Sequence, residues 1–282
     1  MRNVTVAAIQ MSIPETPEKS VEKAEKLVRE AAAEGANVIL LPELFENWYF
    51  CQERRYDSYK LALPLEENPA VRRFQTVAKE LSVVLPISFY EQDGNVLYNS
   101  VAMIDADGSV MGVYRKTHIP DDHFYQEKFY FTPGDTGFKV WDTRFGKIGV
   151  GICWDQWFPE AARCMALDGA ELLFYPTAIG SEPVLECDSM PHWQRCMQGH
   201  AAAKRIGTET VIPDSENQQQ SSSLTFYGSS FIADNTGALV ECADRTSDTV
   251  LLHTFDLDEL RGMRLSWGVF RDRRPEMYGY RV

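Results

Sequence analysis

Apolar and polar residues alternate through "VTVAAIQM" (Val4 to Met11), which predicts a strand near the N-terminus. Thr16 followed by Pro17 is an N-cap and first-turn pair, and Val21, Ala24, Val28 and Ala31 then recur at helical spacing up to a stop at Gly35. "NVILLPE" is a short, nearly continuous apolar run, as expected of a strand in a sheet covered on its faces. The order repeats. Asn68 and Pro69 open a second helix with Val71, Phe74, Ala78 and Leu81 on one face, and "VVLPISFY" reads as the next strand. "DGN" (93–95) and "DADG" (105–108) read as hairpin turns around "VLYNSVAMI".

Further on, "GKIGVGI" predicts a buried strand, Pro159 to Leu167 a helix, "AELLFYPTA" a strand and Pro191 to Ala203 a helix. Pro213 to Ser223 is polar and of low complexity and reads as a surface loop. "LTFYGSSFIAD", "ALVECAD" and "TVLLHTFDL" read as antiparallel strands. The class is α/β, with early β-α-β units, later hairpins and no internal repeat.

Composition narrows the function. The 282 residues are 44% hydrophobic, enough for one large core. A net charge of -13 argues against nucleic acid and against anionic membrane, both of which select basic faces. The N-terminus shows no apolar signal region, and no window reaches the ~20 apolar residues of a membrane span. Six cysteines without C-x-x-C spacing make a disulfide framework unexpected, and a cytoplasmic location is the expectation.

Three predicted strand ends carry reactive side chains: Glu43 after "VILLP", Lys116 after "GSVMGVYR" and Cys153 after "IGVGI". In open α/β sheets ligands bind beyond the carboxyl ends of strands, so the three converge where those strands are neighbours. Each alone has an ordinary explanation as a turn acid, a surface lysine or a core thiol. Together they complete one another. A thiol is mostly protonated at neutral pH, a carboxylate can take its proton, and an ammonium can hold a developing oxyanion beside the backbone N–H of Trp154. That set suits attack on a planar C=O bonded to nitrogen. "HIPDDH" places His118 and His123 around two aspartates but matches no strong zinc signature, so neither metal nor cofactor is expected. Nor do the five histidines sit in a papain-like context. "RDRRPE" reads as a salt-bridged surface or subunit contact.

The motifs "LLPELFENWYF", "YRKTHIPDD", "GICWDQWFPE" and "YPTAIGSEP" resemble the nitrilase superfamily of carbon-nitrogen hydrolases, in that family's order and over nearly the whole chain. The resemblance implies a single domain over 1–282, a four-layer α-β-β-α sandwich, and protomers that pair into a homodimer or larger homo-oligomer. It implies Glu43 as general base, Lys116 as electrostatic stabiliser, Cys153 as nucleophile and Glu127 as a second glutamate orienting the lysine. Within the superfamily, "CWDQWFPEAAR", "HWQRCMQGHA" and "WGVFRDRRPEMY" resemble the N-carbamoylputrescine amidases, implying a small cationic ureido substrate cleaved to putrescine, carbon dioxide and ammonia in polyamine biosynthesis. Relatives that hold a carboxylate often place arginine after the nucleophile, whereas Gln156 and Trp157 stand here. Another amide or carbamoyl compound, such as a ureidopropionate, is the alternative substrate. Candidate partners for an ammonium tail are Glu182, Asp121 and Asp122, with Trp48, Trp154 and Tyr125 as aromatic walls. One departure stands out: Ala203 is followed at once by "KRIGTE", where the family continues through an apolar strand. A true shortening there implies impaired catalysis.

Overall fold

The computed structural model describes residues 1–180, 187–199, 210–213 and 221–279. Strand β1 (Asn3–Gln10) leads into α1 (Pro17–Ala33), β2 (Val38–Leu40), α2 (Pro69–Leu81) and the meander β3 (Leu85–Asp93), β4 (Val96–Ile104) and β5 (Val110–Arg115). The hairpin β6 (Val140–Thr143) and β7 (Gly146–Val150) is followed by α3 (Pro159–Leu167), β8 (Leu172–Phe174) and α4 (Met190–Gln198). Then come β9 (Thr210–Pro213), β10 (Ser221–Leu224), β11 (Phe231–Ala233), β12 (Leu239–Cys242), β13 (Thr249–Asp256), α5 (Leu257–Trp267) and α6 (Pro275–Tyr278).

The helix starts follow from their caps. Thr16 Oγ1 accepts from Lys19 N at 3.4 Å, and Asn68 Oδ1 accepts from Val71 N at 2.9 Å, each ahead of a proline that forfeits no bond. β1 lies between β13, antiparallel, and β2, parallel. β3, β4 and β5 form an antiparallel ladder; β7 pairs with β6 antiparallel and with β8 parallel.

Period-two alternation sorts the strands into layers. Val4, Val6 and Ala8 join Val38, Val101, Met103, Ile148 and Val150 in a core between sheets. The alternate residues Ala7, Ile9 and Met11 pack on Val28 and Ala31 of α1 and Phe74 and Val77 of α2. A third core sets Met165 of α3 and Trp193 and Met197 of α4 against Phe231 and Ala233 of β11. The result is helix, sheet, sheet, helix: the expected α-β-β-α sandwich. Gly149 lets α3 ride close on β7, since a Cβ there would stand 2.8 Å from Met165 Sδ.

Several local expectations are corrected. "LTFYGSSFIAD" is not one strand: β10 ends at Leu224 and β11 begins at Phe231. Between them Gly228 and Ser229 take positive φ, and the buried Gln10 side chain accepts from Ser230 N at 2.8 Å, so tertiary contacts replace the ladder. Ser221 to Ser223, expected in a loop, pair with β9. The C-terminal helix α5 carried no sequence expectation; Asp256 caps it by accepting from Asp258 N at 2.9 Å. Residues 200–203 of the fourth predicted helix, and the Ala203–Lys204 junction, lie outside the described residues. Among the described residues no helix is long and apolar enough to cross a membrane.

Candidate active site

Glu43 follows β2 and Pro42 and is fully buried. The chain turns sharply after it: Leu44 sits at φ 48°, its N–H donating to Ser88 Oγ at 2.9 Å. Lys116 directly follows β5, with its N–H on the Asn99 carbonyl at 2.8 Å and its carbonyl accepting from Gly134 N at 2.7 Å. Gly134 approaches so closely that an added Cβ would stand 2.1 Å from the Arg115 carbonyl oxygen. Cys153 opens a 3-10 turn, Cys153–Trp157, beyond β7. Its φ of 42° is left-handed and costly for a residue with a Cβ, and the Cys153 N–H on the Pro176 carbonyl at 2.9 Å helps hold it.

A parallel bridge from Val38 to Val84 joins β2 to the meander that carries β5, while β7 lies in a separate ladder, so the three strand ends are not adjacent neighbours in one sheet as the sheet-end argument supposes. The sandwich brings them together instead. Lys116 Nζ donates to Glu43 Oε1 at 2.9 Å and to Glu127 Oε2 at 2.5 Å, with all three side chains at 0% exposure. Asn99 Nδ2 also donates to Glu43 Oε1, at 2.8 Å, and Ala178 N donates to Glu43 Oε2 at 2.7 Å. Tyr49 OH donates to Glu127 Oε1 at 2.7 Å. The Cys153 thiol donates to the Ala178 carbonyl at 3.5 Å, so one residue touches both the sulfur and Glu43.

Burial dominates the electrostatics. It opposes the Lys116 ammonium, but Glu127 and then Glu43 outweigh it and hold the lysine well above its ordinary range. The Cys153 thiol is pushed up by burial and then by the Glu43 charge, with Lys116 pulling the other way. Burial also raises the Glu127 carboxyl, against the pull of Lys116. A free thiolate is therefore disfavoured at rest, and a carboxylate in the same enclosure suits removal of the thiol proton during attack.

The structure brings together Glu43, Lys116, Glu127 and Cys153. Tyr125 lies close by: its ring centroid is 5.9 Å from that of Tyr49, and its hydroxyl accepts from Gly180 N at 2.8 Å. Trp154 is half-exposed, 6.1 Å from the Trp157 ring. Trp48 is half-exposed and donates its indole N–H to the Ile13 carbonyl at 3.3 Å. Asp121 pairs with Arg54 at 3.7 Å, and Asp122 accepts from His123 N at 2.7 Å on an exposed turn; no hydrogen bond joins either to the buried cluster among the described residues. Glu182 and His200 lie outside the described residues. Sequence reasoning missed Asn99, Tyr49 and Ala178. Asn99 and Ala178 sit in runs that read as ordinary strand, and Tyr49 is one of many aromatics.

Residues 5–265 match the carbon-nitrogen hydrolase family model. The chain belongs to the carbon-nitrogen hydrolase family, within the nitrilase superfamily, and is an enzyme of that class. It is 56% identical to an N-carbamoylputrescine amidase of Arabidopsis thaliana, over 98% of this chain and 94% of that one. It is 53% identical to a citrullinase of Francisella tularensis, over 99% of this chain and 98% of that one. A crystal structure of a carbon-nitrogen hydrolase from Helicobacter pylori G27 superposes with TM-score 0.88 at 34% identity, covering 98% of this chain and 97% of the other.

Proposed function

We propose that the protein hydrolyses N-carbamoylputrescine to putrescine, carbon dioxide and ammonia. The observation that carries this reading is the buried Glu43–Lys116–Glu127 cluster around a thiol. The substrate class is supported by the 56% identity to the plant amidase, and by Gln156 and Trp157 standing where a carboxylate-binding relative places arginine.

Glu43 takes the thiol proton as the Cys153 sulfur attacks the ureido carbon. Lys116 and the Trp154 N–H stabilise the oxyanion, and Glu127 orients Lys116. The intermediate collapses by breaking one C–N bond, and the departing nitrogen takes the proton from Glu43. Water, deprotonated by Glu43, then attacks the carbamoyl thioester and releases Cys153. The resulting carbamate loses carbon dioxide. Trp48, Trp154 and Tyr125 wall the aliphatic chain, and Glu182, Asp121 and Asp122 are the carboxylates available to the ammonium tail. The half-exposed Trp154 beside the nucleophile supports an aromatic entrance.

The protein works as a homodimer or larger homo-oligomer in the cytoplasm. Leu265 at 67% and Trp267 at 81% exposure on α5 support a face covered by a second copy. Citrulline is the second reading, favoured by the 53% identity to the citrullinase. The test is ammonia release from N-carbamoylputrescine, citrulline, N-carbamoyl-β-alanine and simple amides, with Cys153→Ala as control. Turnover of the diamine derivative well above the others supports the proposal; preference for citrulline replaces it with the second reading.

A further inference from the structure

Asp155 is fully buried, yet no step above uses it. Its carboxylate takes four donors from two separate segments. Oδ2 accepts from Ile152 N at 2.9 Å and from Tyr114 OH at 2.7 Å. Oδ1 accepts from His118 N at 3.0 Å and faces His118 Nδ1 at 2.8 Å; opposite a carboxylate oxygen, that ring nitrogen carries the proton. The placement of these donors is informative. Ile152 immediately precedes Cys153, while Tyr114 and His118 stand two residues before and two after Lys116.

The rest of the cluster has one purpose in common. Asp155 N donates to Ile152 O at 3.0 Å, so the same residue closes the turn that holds Cys153 at its left-handed φ. The His118 ring is clamped against Phe158, with centroids 3.6 Å apart and planes within 5°. Tyr114 OH also meets Thr117 Oγ1 at 3.0 Å, pinning the lysine segment a second time. A buried carboxylate without a full ionic partner is costly, and its four hydrogen bonds offset that cost only while both segments stay in register.

The geometry points to Asp155, with His118 and Tyr114, as the positioning device that fixes the Cys153 turn relative to Lys116. It touches no reacting atom. This inference rests on the thiol mechanism proposed above. An amide in place of the carboxylate leaves one backbone N–H facing another N–H in either orientation: that of Ile152 or that of His118. The lysine and sulfur segments then relax apart. His118→Asn keeps a donor nearly where Nδ1 stands, whereas His118→Ala removes it.

The experiment measures kcat and KM per folded molecule for Asp155→Asn, His118→Ala and His118→Asn, and the pH dependence of Cys153 alkylation by iodoacetamide, mapped by peptide mass spectrometry. Displacements near 1 Å cost about 100-fold in rate. On that scale Asp155→Asn is expected to lower kcat by about 30-fold or more with KM within about threefold, and to shift Cys153 alkylation to higher pH as Lys116 recedes. His118→Ala is expected to lose about tenfold in kcat and His118→Asn to recover most of it. Wild-type kcat and alkylation in Asp155→Asn, a loss confined to KM, or His118→Asn as impaired as His118→Ala would each overturn the inference. Should Asp155→Asn fail to fold, Tyr114→Phe decides: a severalfold fall in kcat at constant KM upholds the device, and an unchanged kcat rejects it. Residual turnover in Cys153→Ala sinks the thiol mechanism and this inference with it; an inactive Cys153→Ala beside an unimpaired Asp155→Asn sinks the positioning device alone.

Discussion

Lys116 Nζ reaches Glu43 Oε1 at 2.9 Å with neither side chain exposed to water, and the two residues are 73 positions apart in the chain. A pair so buried is not a source of net stability by default, because desolvation consumes much of the attraction. Its removal is asymmetric, however, and that makes it testable.

Lys116→Met leaves the Glu43 and Glu127 carboxylates together without their cation. Losing one partner of a buried pair costs about 3–5 kcal/mol. Burial already raises the Glu127 carboxyl against the pull of Lys116, and without that cation it favours protonation in the fold more strongly, so the deficit shrinks at acid pH and grows as pH rises. Thermal unfolding from pH 4 to pH 8 checks this; a deficit independent of pH would contradict it.

Glu127→Gln tests the second carboxylate more gently. Gln Oε1 still accepts from Lys116, and its amide donates to Tyr49 once that hydroxyl rotates. The expected result is a melting temperature near that of the wild type and a kcat lowered about tenfold or more, because the lysine loses an anionic anchor. Equal losses in Tm and kcat would point to structure alone.

Glu46 lies three residues beyond Glu43, mostly buried, with Asn68 Nδ2 donating to its two oxygens at 3.1 Å and 3.3 Å. Burial pushes its carboxyl up to about 7, with Asn68 opposing. A raised folded-state value favours the protonated form, so this contribution is fully present below about pH 4.5 and is lost as pH climbs through about 7. Glu46→Gln keeps the Asn68 bond and avoids the buried charge. It is expected to stabilise the protein at pH 8 by about 1–3 kcal/mol, allowing for the side chain's residual solvent contact, and by little at pH 5. Denaturant titrations at the two pH values decide.

Gly134→Ala is expected to be severe, because the new Cβ would meet the Arg115 and Lys116 carbonyl oxygens at 2.1 Å and 2.8 Å. Backbone cannot swing aside as a side-chain tip can, so the cost is about 2–3 kcal/mol or more, with activity falling as Lys116 shifts. Gly137→Ala, where nothing lies within 4 Å, pays only the strain of a positive φ and serves as the comparison. Equal effects at the two sites would refute the argument.

The elements legible in the chain are those whose causes are local. Thr16 and Asn68 cap α1 and α2, and the alternation in β1 divides its residues between two cores. The 225–230 segment was misread because its break depends on Gln10, far away in sequence, binding Ser230 N. Helix α5 went unread although Asp256 is an ordinary cap, since its apolar residues remain largely exposed and show no clean face. Glu43, Lys116, Cys153 and Glu127 were legible through motif resemblance. Asn99, Tyr49 and Asp155 were not legible as members of the cluster, because a buried polar side chain is distinguished only by the partners that bury it.

By itself, then, the amino-acid order determined the first four helices and most strands, the two-faced burial of the sheets, the family and the four candidate site side chains. Local propensity and period-two patterning act within a few residues, and family motifs carry their chemistry in short runs. Only the tertiary structure decided that β2 and β5 deliver Glu43 and Lys116 from one run of strands and β7 delivers Cys153 from another, that Lys116 stands between two carboxylates, and that Asp155 ties the lysine segment to the cysteine turn. Those facts depend on how two sheets face one another across a core, and no short stretch of chain records the distance across that gap.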